Sequence, residues 1–363
     1  AGPRLFSFRI APEPDEMVTQ NNVRHALIVV EDTREKILYF EGEPRWEVKF
    51  LRRAVEDDEN LQLKVLQRTA EGKVMRLNVD DANDLLEFPR TREELFGYRA
   101  LILGSIEASY FTPDQLRMIA DFVSERGGGL LMLGGQRSYA EGGYAGTPVA
   151  DVLPVVLDER DADGEGGFFR ETDVRPTRAG ETHPSTQIAD TEEASAARWL
   201  ELPPITLVNA IREVKPGATT LLTSGDESLV VLASQRYGAG KSLAFPIQDS
   251  WMWQMHADIP VDDQTHEILW RRLLRWRVDG VPDQVVADMP KDRVELNETV
   301  RLNAEVDDAS YEEINTSQVS AWITDPDDEL IEVPLDWTAD RDGDYAASFT
   351  PRKEGLYEVR IEA

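Results

Sequence analysis

The 363-residue sequence contains no cysteine. Disulfides, thiolate zinc sites and cysteine nucleophiles are therefore excluded together. Histidine is scarce: His25, His183, His256 and His266 are the four, and none stands in H-x-x-x-H spacing with another, so a preformed zinc helix is not expected. Basic charge is also short, with 39 Lys plus Arg against 69 Asp plus Glu, a net charge of −30, and only eight lysines. That balance repels nucleic acid and anionic membrane surfaces, so neither is an expected partner. An acidic, Lys-poor surface suits a salty milieu, where screening relieves self-repulsion; Arg-rich codon usage accounts for it equally well. No apolar run approaches the roughly 20 residues that span a bilayer, so this stretch is not itself expected to cross one. It starts at Ala1 without a signal peptide and reads as a piece of something longer.

Several familiar motifs are missing too. "YGAGKS" has the tail of a phosphate-binding loop, but Gln235 stands where the first glycine belongs, and the stretch lies between two strands; Lys241 is read as a hairpin residue. No G-x-G-x-x-G opens a helix and no G-x-S-x-G is present, so neither a dinucleotide cofactor nor a serine elbow is expected. In the acidic turn "DERDADGEGG", an EF-hand loop aligned on Asp161, Asp163 and Gly164 would need a carboxylate at 170, where Arg170 stands. This turn and "DRDGD" are read as solvated turns, with no metal and no cofactor.

What is present is a change of pattern along the chain. "RLFSFRI" and "RHALIVVED" read as two strands within residues 1–33. Residues 34–281 alternate strand and helix: "KILYFEG", "NLQLKVLQ", "YRALILGS" and "GLLMLGG" are near-continuous apolar runs, as in a parallel sheet covered on both faces. Between them, Trp46, Phe50, Leu51 and Ala54 have helical spacing. Thr112 and Pro113 open a helix whose inner face is Leu116, Ile119, Ala120 and Val123. Residues 155–215 are an irregular excursion with weak strands. "TTLLTS" and "SLVVLASQRYGAGKSLAF" restore strand character, and "DDQTHEILWRRLLRWRVDG" is a helix with Asp262 or Asp263 as cap and Gly280 as stop. Residues 282–363 hold only strand signals, spaced as in an all-β sandwich, with Trp322, Tyr345 and Tyr357 assigned to its core.

The motifs "ILYFEGEPRWEVKFLRRAV", "FTPDQLRMIADFVSERGGGLLMLGGQRSYAEGGYAGTPVADVLPV", "KPGATTLL", "QRYGAGKSLAF" and "DSWMW", in that order, resemble the class I glutamine amidotransferase-like domain of large bacterial membrane proteins. Such proteins often also carry von Willebrand factor A and Ig-like modules. The resemblance implies a three-layer, flavodoxin-like α/β domain over 34–281, the end of a preceding Ig-like module over 1–33, and an Ig-like β-sandwich over 282–363. It further implies a membrane-anchored parent, with this region on the extracytoplasmic side and other domains or proteins as partners. Working amidotransferases use a cysteine in G-x-C-x-G and a later His-Pro-Glu. In that frame "LMLGGQ" puts Met132 in the nucleophile's place, and methionine has no ionisable proton. Phe245, Pro246, Ile247 and Gln248 stand where the base and its carboxylate would be.

The expected function is thus a non-catalytic scaffold or binding region, a pseudoenzyme in fold. Its candidate cleft is Gly134, Gly135, Gln136, Arg137 and Ser138 opposite Asp249, Trp251, Trp253 and His256, with Arg137 suited to an anionic or carboxamide group. One alternative is an amide hydrolase with relocated chemistry, using Ser138 or Asp249 with His183 or His256. Another is a carbohydrate surface around Trp251 and Trp253.

Overall fold

The computed structural model describes residues 2–11, 22–30, 34–70, 72–80, 85–158, 169–291 and 293–363. They form two compact units: one of residues 35–284 with 307–312, the other of 1–34, 285–306 and 313–363. In the latter unit β1 (Gly2–Arg9) and β2 (Val23–Val30) pair antiparallel, Gly2 opposite Val30 and Arg9 opposite Val23. The turn containing Asp161, Asp163 and Gly164 lies outside the described residues.

The larger unit is built on β3 (Glu35–Glu41), β4 (Leu61–Ala70), β5 (Lys73–Leu77), β6 (Ala100–Leu103), β7 (Gly129–Leu133), β8 (Arg170–Thr172), β9 (Val174–Pro176), β10 (Ile205–Leu207), β11 (Thr219–Ser224), β12 (Val230–Tyr237) and β13 (Gly240–Phe245). Nine of these make one mixed sheet in the order β5-β4-β3-β6-β7-β13-β12-β11-β9. The five strands from β4 to β13 in that order are parallel, including β6 with β7, and the flanking pairs are antiparallel. β12 and β13 form the hairpin read around "YGAG". Pro176, which has no N–H to give a ladder, sits in an edge strand.

Alternation along β3 shows why the apolar runs are continuous. Ile37 and Tyr39 enter one core with Leu51 and Ala54 of the helix Trp46–Val55 and Trp270 of the helix Thr265–Val278. Leu38 and Phe40 enter the opposite core with Phe96, Ile119 and Phe122, the last two from the helix Pro113–Ser124. That helix opens on a full capping box: Thr112 accepts from the Gln115 N–H at 3.2 Å and Gln115 accepts from the Thr112 N–H at 3.1 Å. Two sequence expectations change here. Trp46, at the first helical turn, is exposed beside Lys49 rather than part of the inner face. The excursion 155–215 contains a ten-residue helix, Glu192–Glu201, that anchors through buried Ser195 and Trp199.

The smaller unit continues with β14 (Val285–Asp288), β15 (Val300–Val306), β16 (Val319–Thr324), β17 (Leu330–Trp337), β18 (Asp344–Phe349) and β19 (Glu358–Glu362), an all-antiparallel sheet in the order β14-β15-β18-β17-β16-β19. β17 is shared: Leu330–Leu335 pair with β16, and Asp336 and Trp337 pair with β18. Its core is Leu302, Ala304, Val306, Val319, Ala321, Ile323, Leu335 and Tyr345, with Tyr357 packed against it. Trp322 is not in that core. Strand alternation buries Ala321 and Ile323 and turns the residue between them to the other face.

Candidate functional site

Parallel strands bring their carboxyl ends to one edge, and there β3, β6, β7 and β13 deliver Glu41, Gly104–Ser105, Gly134–Gly135 and the Pro246–Ser250 segment. Glu41 has no solvent exposure. One carboxylate oxygen accepts from the Ser105 N–H at 2.9 Å. The other accepts from the Tyr39 hydroxyl at 2.6 Å and from Arg45 Nη2 and Nε at 2.6 and 3.0 Å. Arg45 Nη1 donates on to the Gly134 carbonyl at 2.6 Å, so one guanidinium joins the ends of β3 and β7. Burial by itself would lower the Arg45 pKa, but Glu41 outweighs it and holds the guanidinium firmly charged.

Gly134 and Gly135 are glycine because neighbours come too close for a side chain. A Cβ on Gly134 would lie 2.3 Å from the Pro246 backbone, and one on Gly135 2.4 Å from Ser105 Cβ. Asn209 holds the same turn: its Oδ1 accepts from the Gly135 N–H at 3.0 Å and its Nδ2 donates to the Gly135 carbonyl at 3.1 Å. Tyr139 is a non-glycine residue of the loop in the left-handed region, with φ 53° and no exposure. Its hydroxyl donates to the Met132 carbonyl at 2.7 Å and accepts from the Phe245 N–H at 2.9 Å, tying β7 to β13.

Met132 is interior to β7 and buried, two residues before the turn, so its side chain belongs to the core and not to an elbow. Gln136 is exposed. Arg137 is half exposed and lies 3.7 Å from Glu107, which is itself gripped at 2.7 and 2.8 Å by Arg68. Ser138 is buried and donates to the Gly104 carbonyl at 3.1 Å, with no histidine partner. Asp249 accepts from the Thr206 N–H at 2.9 Å, and burial raises its pKa. Trp251 stacks on Phe50 with centroids 6.0 Å apart. Trp253 is fully buried against Trp199 and donates to the Pro203 carbonyl at 3.0 Å, so it offers no platform to a sugar. His256 lies 3.5 Å from Asp258, and His183 bonds Ser185 at 2.7 Å. Lys241 donates to the carbonyls of Trp276 and Asp279 at 3.0 and 2.7 Å, closing the C-terminus of the helix Thr265–Val278.

A second polar cluster escaped the sequence reading. Ser250 Oγ lies 3.1 Å from His266 Nε2, accepts from Trp270 Nε1 at 2.9 Å and bonds the Glu47 carboxylate. All four side chains are buried. Burial raises the Glu47 pKa to about 7 and lowers that of His266 to about 3. A serine hydroxyl has one proton and two lone pairs. It is satisfied when it donates to ionised Glu47 and accepts from Trp270 and from the Nε2–H tautomer of His266. Nδ1 of His266 is then a bare acceptor, in keeping with its lack of a partner. In a hydrolytic triad the carboxylate would orient the histidine through that nitrogen. Here it holds the serine instead. Among the described residues no set of three or more His, Asp or Glu is arranged to hold a metal ion, and no helix is long and apolar enough to cross a membrane.

A comparison with curated proteins returns no match. Among solved structures, two cytoplasmic proteins of Salmonella typhimurium are similar, at 20% and 17% identity; each alignment covers 76% of this chain and 96% of the other, with a TM-score of 0.45. The β-galactosidase of the Antarctic haloarchaeon Halorubrum lacusprofundi aligns over 89% of this chain and 40% of its own, at 12% identity and a TM-score of 0.33. The profile of the family GATase1_like, described as "Putative glutamine amidotransferase", matches residues 59–279. That match covers more than half of the chain and spans β6, β7 and β13 with their loops, and the chain therefore belongs to this amidotransferase-like family.

Proposed function

We propose that this chain is a non-catalytic binding or scaffolding member of its family. One observation carries the reading: the turn after β7 presents the backbone of Gly134 and Gly135, clasped by Arg45 and Asn209, where an amidotransferase needs a nucleophile. The charges along this edge neutralise one another, Arg45 with Glu41 and Arg68 with Glu107. Gln136 and Arg137 remain to contact a ligand or partner, and Arg137 suits a carboxylate or carboxamide. Within this reading the partners are other domains of a membrane-anchored parent, or proteins, met on the extracytoplasmic side. The sequence resemblance, with Ig-like modules on either side, supports that placement.

The second reading is amide hydrolysis, and the Ser250–His266 contact favours it. One experiment separates the two. Purified protein is incubated with glutamine and a panel of amides, and ammonia is measured. No release above buffer is expected. Turnover abolished by Ser250→Ala, His266→Ala or Ser138→Ala, with the circular dichroism unchanged, would replace the binding reading with the hydrolytic one.

A further inference from the structure

Two N-x-S/T triplets occur in the chain, Asn297-Glu298-Thr299 and Asn315-Thr316-Ser317, and both belong to the smaller unit. Each offers what an asparagine-linked glycan requires: an acceptor amide, a residue other than proline, and a hydroxyl two places on. The fold treats the two amides differently. That of Asn315 is already engaged. Its Nδ2 donates to Asp342 Oδ1 at 2.7 Å, and its Oδ1 accepts from the Gly343 N–H at 2.7 Å, so the side chain pins the turn ahead of β18. The Ser317 N–H is held as well, by the Tyr345 hydroxyl at 3.1 Å. A modifying enzyme would have to break these bonds to reach Asn315.

Asn297 is presented instead. Residues Glu295–Glu298 form a β-turn closed by the Glu298 N–H on the Glu295 carbonyl at 3.0 Å. The turn is held without the Asn297 side chain: the Glu298 carboxylate accepts from the Glu295 N–H at 3.0 Å and from Lys291, and the Asn297 N–H donates to the Pro351 carbonyl at 3.0 Å. Asn297 is the third turn residue, left-handed at φ 64°, and exposed. Glycine would meet that backbone demand equally well, so the turn alone does not call for an amide. Among the described residues none bonds the Asn297 side-chain amide. Thr299 is also exposed, its hydroxyl 3.0 Å from that of Thr350. We propose that Asn297 carries an N-linked glycan and that Asn315 does not, resting on the extracytoplasmic placement proposed above. The donor is an oligosaccharide on a lipid phosphate, supplied with a membrane transferase. Asn297 Nδ2 bonds to the sugar's anomeric carbon, the carbon–oxygen bond to the phosphate breaks, the lipid phosphate leaves with the electron pair, and one Nδ2 proton passes to the transferase.

The test is mass spectrometry of peptides from the native protein, purified from its own cells. A glycan mass is expected on the peptide that holds Asn297 and none on the peptide that holds Asn315. Asn297→Gly keeps the left-handed turn, and Thr299→Ala keeps the asparagine. Made in the same cells, each is expected to abolish the glycan and leave the circular dichroism unchanged. In parallel, intact cells are treated with a membrane-impermeant amine reagent, and exposed Lys291 is read for label. Label on Lys291 with Asn297 unmodified overturns the glycan and leaves the extracytoplasmic placement standing. Neither label nor glycan overturns both. A glycan on Asn315, or one that survives both substitutions, overturns the assignment to Asn297.

Discussion

The side-chain amide of Asn209 is bonded at both of its ends to Gly135, 74 residues away in sequence. An Asn side chain that mimics a strand partner in this way supplies the acceptor for the Gly135 N–H and a second donor to the Gly135 carbonyl, which also accepts from the Ser138 N–H at 3.1 Å. Asn209→Ala is expected to cost about 1–3 kcal/mol, the cost of the one buried N–H that it orphans. Urea denaturation measures it. Asn209→Asp keeps only the acceptor and should also destabilise, because it places a buried carboxylate against the Gly135 carbonyl. A loss below about 0.5 kcal/mol for both would mean that the turn holds itself.

Arg45 and Glu41 make a buried pair, and the two deletions should be unequal to their sum. Arg45→Met strands the Glu41 charge and is expected to cost about 3–5 kcal/mol. Glu41→Gln with Arg45→Met removes both charges and should recover much of that loss. Thermal melts of the two singles and the double, run as a cycle, give the coupling directly. Additive effects would show that the pair has no joint role.

Glu47 and His266 predict opposite pH slopes from one cluster. In the unfolded chain Glu47 titrates near its ordinary 4.5, and in the fold near 7, so the folded state holds the extra proton between those values. Its contribution to stability therefore falls as pH rises from about 4.5 to 7. His266 stays neutral in the fold down to about 3, whereas the unfolded chain takes up a proton below about 6.5. Its contribution falls as pH drops from about 6.5 towards 3. Glu47→Gln should thus gain on the wild type by on the order of 2–3 kcal/mol between pH 4.5 and 7 and then level off. A difference that stays flat across that interval would contradict the assignment.

The Tyr139 hydroxyl bridges the backbones of β7 and β13, from the Met132 carbonyl to the Phe245 N–H. Tyr139→Phe should cost about 1–3 kcal/mol through the unpaired Phe245 N–H. Hydrogen exchange at Phe245 should speed up by more than the global loss of stability explains. Equal acceleration across the sheet would indicate that the hydroxyl has no local part.

The fold was legible where short-range chemistry decides it. Four apolar runs named four parallel strands, and Thr112 with Pro113 named a helix start whose capping box is present. The helix Glu192–Glu201 was not legible, because only Ser195 and Trp199 of its ten residues are buried and the rest read as polar linker. The site was legible at Gly134 and Gly135 but not at its clamps. Arg45 meets Gly134 across 89 positions, and Glu47 meets Ser250 across 203. No local spacing encodes such contacts. A search for nucleophiles and bases also passes over an Asn whose task is to pair with backbone.

β17 gives its first six residues to one neighbour and its last two to another. A strand with two allegiances is a mechanical coupler. Pulling β16 and β19 away from β15 and β18 must either bend β17 or strip it from one side, so the two halves cannot slide past each other as independent plates. The smaller unit should therefore yield to force in a single step, with the break at the Leu335–Asp336 junction.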